Sequence, residues 1–316
     1  MIKICLLGKD TICYNDVDFS SIEALGEVTY ALPKTEDETV EVCKGATAVL
    51  VNKTEMTERV ISRLPDLKYI GAFATGYNNI DLNACKKYGV RFCNAPDYSM
   101  EAVAQHTIAL LLAQAGSLPQ YIRSVADGDW LKAPNFSYYT YPMYEVYGKT
   151  LGIFGFGRIG KRVAEIASAL GMNVLVHGHH FLENSPYEQV STEELFKRSD
   201  YLSLHCPLTE ETRGLVNEQT LAWMKPSAVL INTARGPLID EKALVSALET
   251  GRLRGACLDV IEKEPMREDC PLIGVKNVLI TPHVAWNAAD TRQRLVEQTA
   301  QTLKAFLDGN PVNVIV

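Results

Sequence analysis

The sequence predicts an α/β protein of two doubly wound parallel-sheet domains, the second inserted in the first. Three observations lead there. Short apolar runs alternate with stretches at helical spacing along most of the 316 residues, the pattern left by parallel strands joined through crossover helices. The alternation restarts near residue 150 and yields six further apolar runs, enough for a complete sheet. The last helical stretch, 289–307, and the tail 310–316 follow once that sheet is complete, so they return to the first domain. The expected division is 1–99 with 288–316 for the first domain and 100–287 for the second.

In chain order, 2–7, 46–51, 69–74 and 90–93 read as strands, and 40–43, 57–64 and 82–88 as the helical stretches between them. One long helix is expected over 100–127, with Ser99 as its N-cap and Glu101 in its first turn, connecting the two halves. Residues 130–149 are rich in Tyr, Pro and Asn and lack a clean period. Such an arm suits a contact between subunits, with a long loop packed on its own domain as the alternative. The strands of the second half are expected at 151–154, 174–177, 201–205, 229–232, 256–260 and 278–281.

Composition narrows the class. A hydrophobic content of 47% with 22% charged residues is that of a globular protein. The net charge of −7 argues against a nucleic-acid partner, which needs a basic face. The start of the chain has one positive charge and an apolar run too short for a signal peptide. No stretch approaches the roughly 18–20 apolar residues of a membrane span. Eight cysteines without a C-x-x-C pair read as reduced, buried thiols, so the expectation is a cytoplasmic protein with no structural metal.

Between the first strand of the second half and the helix after it stands Gly155-Phe156-Gly157-Arg158-Ile159-Gly160. This G-x-G-x-x-G spacing suits a dinucleotide: Gly155 for the tight turn, Gly157 for backbone approach to a pyrophosphate, and Gly160 for close packing of helix on strand. Glycines also mark ordinary turns, so the context carries the reading. In such sheets ligands lie beyond the carboxyl ends of the strands. There the sequence places Arg235, then Asp259 with Glu264, then His283. Each has a bland alternative, as a surface cation, a loop charge or a hydrogen-bonded turn residue. On consecutive strand ends of one dinucleotide sheet, the chemical reading is preferred.

Asn232-Thr233-Ala234-Arg235-Gly236, Leu258-Asp259-Val260 with Glu264-Pro265, and Thr281-Pro282-His283-Val284-Ala285 resemble three signature segments of the D-isomer-specific 2-hydroxyacid dehydrogenases. Ala74-Thr75-Gly76-Tyr77-Asn78-Asn79-Ile80-Asp81 is similar to that family's substrate-carboxylate loop, and Val103-Ala104-Gln105-His106-Thr107 to the start of its interdomain helix. Within the family, residues 137–151 most resemble the glycerate dehydrogenase (hydroxypyruvate reductase) branch. The resemblance implies a Rossmann-type dinucleotide domain inserted in a flavodoxin-like substrate domain, NAD or NADP as cofactor, and a 2-keto or 2-hydroxy acid as substrate, while the 130–149 arm adds the expectation of a homodimer. It implies His283 as general acid and base, Glu264 as the carboxylate that pairs with its imidazole, and Arg235 as a fork for the substrate, whose carboxylate Thr75 and Gly76 also hold. Cofactor contacts are implied at Thr107, Gly155, Gly157, Arg158, Ile159, Gly160, His179, Cys206, Pro207, Thr212, Thr233, Ala234, Arg235, Asp259, His283 and Ala285, with Asp259 receiving the nicotinamide amide.

One position departs from the pattern. NAD-preferring members carry an acid about 20 residues past the glycine motif to bind the adenosine ribose, and here that place reads His177-Gly178-His179-His180, with Glu183 later in the loop. The missing acid removes a repulsion against a 2′-phosphate, while the absence of an arginine there weakens the case for NADP. Two alternatives stand beside the favoured short-chain reductase. One is a dinucleotide-sensing, corepressor-like binding protein on the same scaffold. The other is a phosphoglycerate-type dehydrogenase, which would need extra cations near the carboxylate loop, where only Lys53 is in view.

Overall fold

In the computed structural model, which describes residues 2–178 and 185–316, the chain opens with β1 (Ile2–Leu7), α1 (Ser20–Glu23), β2 (Gly26–Ala31), α2 (Glu36–Val42) and β3 (Ala48–Val51). It continues through α3 (Glu58–Ile61), β4 (Tyr69–Ala72), α4 (Leu82–Tyr88) and β5 (Arg91–Cys93). These strands pair in the order β2-β1-β3-β4-β5, all parallel. Side chains alternate across the sheet. Val49 and Val51 enter one core with Val60, Ile70 and Phe92, while Ala48 and Leu50 enter another with Tyr69, Leu295 and Leu303. A sheet buried on both faces must be written as continuous apolar runs, which is why β1 and β3 are conspicuous in the sequence.

Strand β2 escaped the sequence reading. Among the described residues it pairs only with β1, and its Gly-Glu-Val-Thr-Tyr-Ala run keeps mostly exposed or half-buried side chains, so no apolar run marks it. Helix α2 starts earlier than the apolar spacing suggests. The Thr35 hydroxyl accepts from the Glu38 N–H, and three acids fill the first turn, where they meet the positive end of the helix.

The second sheet follows α5 (Met100–Ala115) and α6 (Leu118–Ala126), and runs through β6 (Thr150–Phe154), α7 (Arg158–Ala169), β7 (Asn173–His177), β8 (Glu188–Gln189), α8 (Thr192–Arg198) and β9 (Tyr201–Leu204). It is completed by α9 (Glu218–Trp223), β10 (Val229–Asn232), α10 (Glu241–Glu249), β11 (Gly255–Leu258) and β12 (Val278–Ile280). Its strand order is β12-β11-β10-β9-β6-β7-β8. The order reverses between β6 and β9, and that switch point is where a doubly wound sheet opens a ligand crevice.

The single helix expected over 100–127 is two. Ser117 takes the left-handed conformation at φ 47°, and its hydroxyl donates to the Pro142 carbonyl. Pro119 then stands in the first turn of α6, where its missing N–H costs nothing and would have broken a continuous helix.

Contacts divide the chain into Met1–Ser99 with Trp286–Val316, and Met100–Ala285. The final helix, α11 (Ala289–Leu307), packs Leu295, Val296, Ala300 and Leu303 on the first sheet. The tail then runs beside β5, with the Ile315 N–H donating to Phe92 O and the Phe92 N–H to Val316 O.

Candidate active site

At the end of β6 the backbone turns through Gly155 at φ +96°, where a Cβ would sit 2.5 Å from the Cys206 nitrogen. Only glycine fits. A Cβ on Gly160 would lie 2.3 Å from the Gly155 carbonyl oxygen, so a bare Cα there lets α7 start directly against the turn. Gly157 is different, because a Cβ there would meet nothing within 4 Å. That open space lies at the N-cap of α7, and no side chain caps the helix. Exposed helix N–H groups beside an unfilled space suit a pyrophosphate. Arg158 is exposed, Ile159 half-buried and Gly160 buried beneath.

The neighbouring strand ends supply the walls. After β9 come buried Cys206 and exposed Pro207, and the Thr212 hydroxyl braces this loop by donating to Pro207 O and accepting from the Thr209 N–H. Thr107, expected among the cofactor contacts, is instead fully buried. Its hydroxyl donates to Val103 O and therefore accepts from Thr233 Oγ1, 2.9 Å away. Thr107 thus fixes Thr233, with its own hydroxyl committed to Val103 O and Thr233 Oγ1.

The turn after β10 is built by Asn232, the first residue of its signature segment, to which the sequence assigned no role. Asn232 Oδ1 accepts from the Ala234 N–H, and its Nδ2 donates to Arg235 O. The Thr233-Ala234-Arg235 backbone is locked by one buried amide. The Arg235 guanidinium is half-buried, with Nη1 donating to Ala234 O.

Beyond β11 and β12 the paired groups meet. His283 Nδ1 lies 2.6 Å from Glu264 Oε2, and Glu264 Oε1 accepts from the Ile261 N–H. A carboxylate can only accept, so the Nδ1 proton faces Glu264 and Nε2 is the nitrogen left to exchange a proton. Both side chains are partly exposed, 28% for His283 and 34% for Glu264.

Asp259 lies beneath this pair, 1% exposed. Its Oδ1 accepts from the Val284 N–H and the Thr281 hydroxyl, and its Oδ2 from the Ala285 N–H. Burial pushes the carboxyl up, but the hydrogen bonds from His106, Thr281, Ala285 and Val284 outweigh it and hold the group below its ordinary value. His106, from the second turn of α5, places Nε2 3.0 Å from Thr281 Oγ1.

Two expected substrate contacts belong to the other unit. Thr75 and Gly76 belong to the first unit, after β4, where Thr75 Oγ1 donates to Ala95 O and Asn94 Nδ2 to Thr75 O. His179, with His180 and Glu183, lies outside the described residues. Gly178 is described, and a Cβ there would make ordinary contact with Phe156 at 3.7 Å. His177 is tied into its own domain: Nδ1 reaches Val190 O, and the ring stacks on Phe154.

Residues 108–285 match the family model for the NAD-binding domain of D-isomer-specific 2-hydroxyacid dehydrogenases. The chain belongs to this family. It is therefore an oxidoreductase, a D-2-hydroxyacid dehydrogenase whose cofactor is NAD or NADP. Over 99% of both chains it is 40% identical to a hydroxypyruvate reductase of Blautia hydrogenotrophica. It is 39% identical to a glycerate dehydrogenase of Methylorubrum extorquens, over 99% of this chain and 98% of the relative. Among solved structures, it resembles an NADPH-dependent glyoxylate/hydroxypyruvate reductase from Sinorhizobium meliloti in complex with NADP and malonate. That likeness has a TM-score of 0.87 at 28% identity and covers 100% of this chain and 97% of the other. Among the described residues no helix is long and apolar enough to cross a membrane.

Proposed function

We propose that this dehydrogenase reduces hydroxypyruvate, glyoxylate or a similarly short 2-keto acid to the 2-hydroxy acid, reversibly. The observation that carries the reading is the 2.6 Å pair of His283 and Glu264, two strands along from the Arg235 turn on one sheet. The relatives named for hydroxypyruvate and glycerate supply the substrate class.

The bound nicotinamide would supply hydride to C2 of the keto acid, or accept it back. His283 Nε2 gives its proton to the keto oxygen as negative charge builds there, and neutral Nε2 takes it back in the other direction. Glu264 keeps the Nδ1 proton in place and favours the charged ring. Arg235 offers two N–H groups to the substrate carboxylate and the adjacent carbonyl, orienting the one and polarising the other. The resemblance adds the N–H groups of Thr75 and Gly76 as holders of the carboxylate.

The glycine turn and the start of α7 would hold the pyrophosphate, making 100–287 the dinucleotide domain and 1–99 with 288–316 the substrate domain. Asp259 keeps one acceptor position, on Oδ2, for the nicotinamide amide. Two further parts of the reading are a homodimer formed through the 130–149 arm and a cytoplasmic location, in keeping with eight free cysteines.

Initial rates with NADH and NADPH against hydroxypyruvate, glyoxylate, pyruvate and longer 2-keto acids test this. The highest kcat/KM should fall on hydroxypyruvate or glyoxylate. Preference for a longer side chain would overturn the substrate class, and negligible turnover throughout would favour a dinucleotide sensor.

A further inference from the structure

We infer that His106 is a positioning residue for the proton-transfer step, acting on the His283 turn through Thr281 and Asp259. This rests on the reading of His283 as the proton donor. Thr281 has one hydroxyl proton, and its oxygen lies 2.5 Å from Asp259 Oδ1. An ionised carboxylate only accepts, so that proton is spent on Asp259. The Thr281 oxygen can then only accept from His106 Nε2 at 3.0 Å, and the imidazole must carry its proton on Nε2. The sequence of donors is fixed: His106 Nε2–H to Thr281, and Thr281 O–H to Asp259.

What Asp259 holds gives this order its consequence. Its backbone oxygen accepts from the His283 N–H at 2.8 Å, and its carboxylate accepts from the N–H groups of Val284 and Ala285. Three successive N–H groups of the catalytic turn therefore converge on one residue. His283 itself sits at φ +54°, in the left-handed region. A non-glycine residue stays there only while its surroundings hold it. The carboxylate that supplies much of that restraint is almost completely buried, and a buried carboxylate keeps its place only while its hydrogen bonds are complete. His106 also lies 3.5 Å from Asp259 Oδ1 and is the one imidazole among the groups that hold this carboxylate below its ordinary value. Remove its N–H and the Thr281 hydroxyl is free to turn toward another acceptor. Asp259 then loses a donor and the His283 turn loosens, carrying the imidazole off its line to the keto oxygen. Small displacements of a reacting group cost large factors in rate.

Three substitutions, His106→Leu, His106→Gln and Thr281→Val, separate this from a general structural role. Leu removes the donor, while Gln returns an amide N–H close to the place of Nε2. On protein shown to be folded by its thermal melt, His106→Leu should lower kcat on the best keto acid by about tenfold. KM for that acid and the dissociation constant for NADH or NADPH, read by fluorescence titration, should change less than about twofold. His106→Gln should recover most of kcat. Thr281→Val should match His106→Leu, and the double variant should be little slower than either single one, because both cut the same path. A wild-type kcat in His106→Leu would overturn the inference. So would equal losses in the Leu and Gln variants, or a loss confined to cofactor affinity. Should the Leu variant not fold, the Gln and Val variants decide: Gln near wild type with Val about tenfold slow supports the relay, and any other pairing rejects it. His283→Ala in the same series keeps the two readings apart. If that variant retains turnover, the proton-donor reading fails. If it is inactive while His106→Leu is not slowed, only the positioning role fails.

Discussion

His283 combines two constraints that no single neighbour imposes. Its backbone is held in the left-handed region by the groups converging on Asp259, and its ring is held at Nδ1 by Glu264. The outcome is an imidazole with one nitrogen committed and the other available. On the proposed reading, His283→Ala should lower turnover by on the order of 10²–10⁴ with cofactor affinity nearly unchanged, since the proton donor would be lost. A variant that turns over at the wild-type rate would remove His283 from the chemistry. Arg235 makes a different demand. Lys keeps the charge but loses the planar fork, and a hydrogen bond to a charged group contributes about 1.5–3 kcal/mol. Arg235→Lys should lower kcat/KM roughly 10- to 100-fold, with both a higher KM and a lower kcat. Wild-type kinetics would place the guanidinium outside the substrate site.

At the scale of elements, legibility depended on whether a signal was local. The β6 turn was readable because Gly155 and Gly160 each answer a steric constraint within one strand, one turn and one helix, with Gly157 leaving open space between them. Arg235, Glu264 and His283 were readable because they follow apolar runs at strand ends. Asn232 and His106 stood within family-like segments but were given no role, since their roles depend on where a side chain turns or on a partner 175 residues away. Strand β2 lacked a signal because its side chains are mostly not buried. The break between α5 and α6 did have one, in Gly116-Ser117 followed by Pro119, but the apolar spacing continues across it. On the proposed cofactor reading, Gly178, just after β7, stands where the adenosine ribose would lie. Gly178 has room for a side chain, and an acid there would bind ribose hydroxyls and repel a 2′-phosphate. Gly178→Asp should shift the ratio of kcat/KM values toward NADH over NADPH by about tenfold or more. An unaltered ratio would show that the adenosine ribose lies against another residue.

At the scale of the whole molecule, the unexplained surface is the arm that the sequence left between two readings. Its polar groups are anchored. Tyr121 Oη donates to Tyr141 O, Tyr138 Oη to Ser124 Oγ, and Trp130 Nε1 to Phe136 O. Several large apolar groups of the arm, and of α6 before it, are not covered. Leu118, Ile122 and Val125 form an exposed stripe along α6 at i, i+4 and i+7, and Leu131, Phe136 and Tyr139 are 93%, 92% and 89% exposed. A backbone fastened this firmly has no reason to leave large apolar side chains in water unless a second surface covers them. A second copy of this chain presents the same stripe, and a twofold contact lets the patch cover itself. Ile122→Asp combined with Leu131→Asp would place four carboxylates into such an interface, two from each subunit. That change should convert a dimer of about 70 kDa, twice the 35.0 kDa chain, into monomers at micromolar concentration in sedimentation velocity. A wild-type chain that already sediments at the monomer mass would dismiss the self-association. A double variant that stays dimeric would move the interface off the arm.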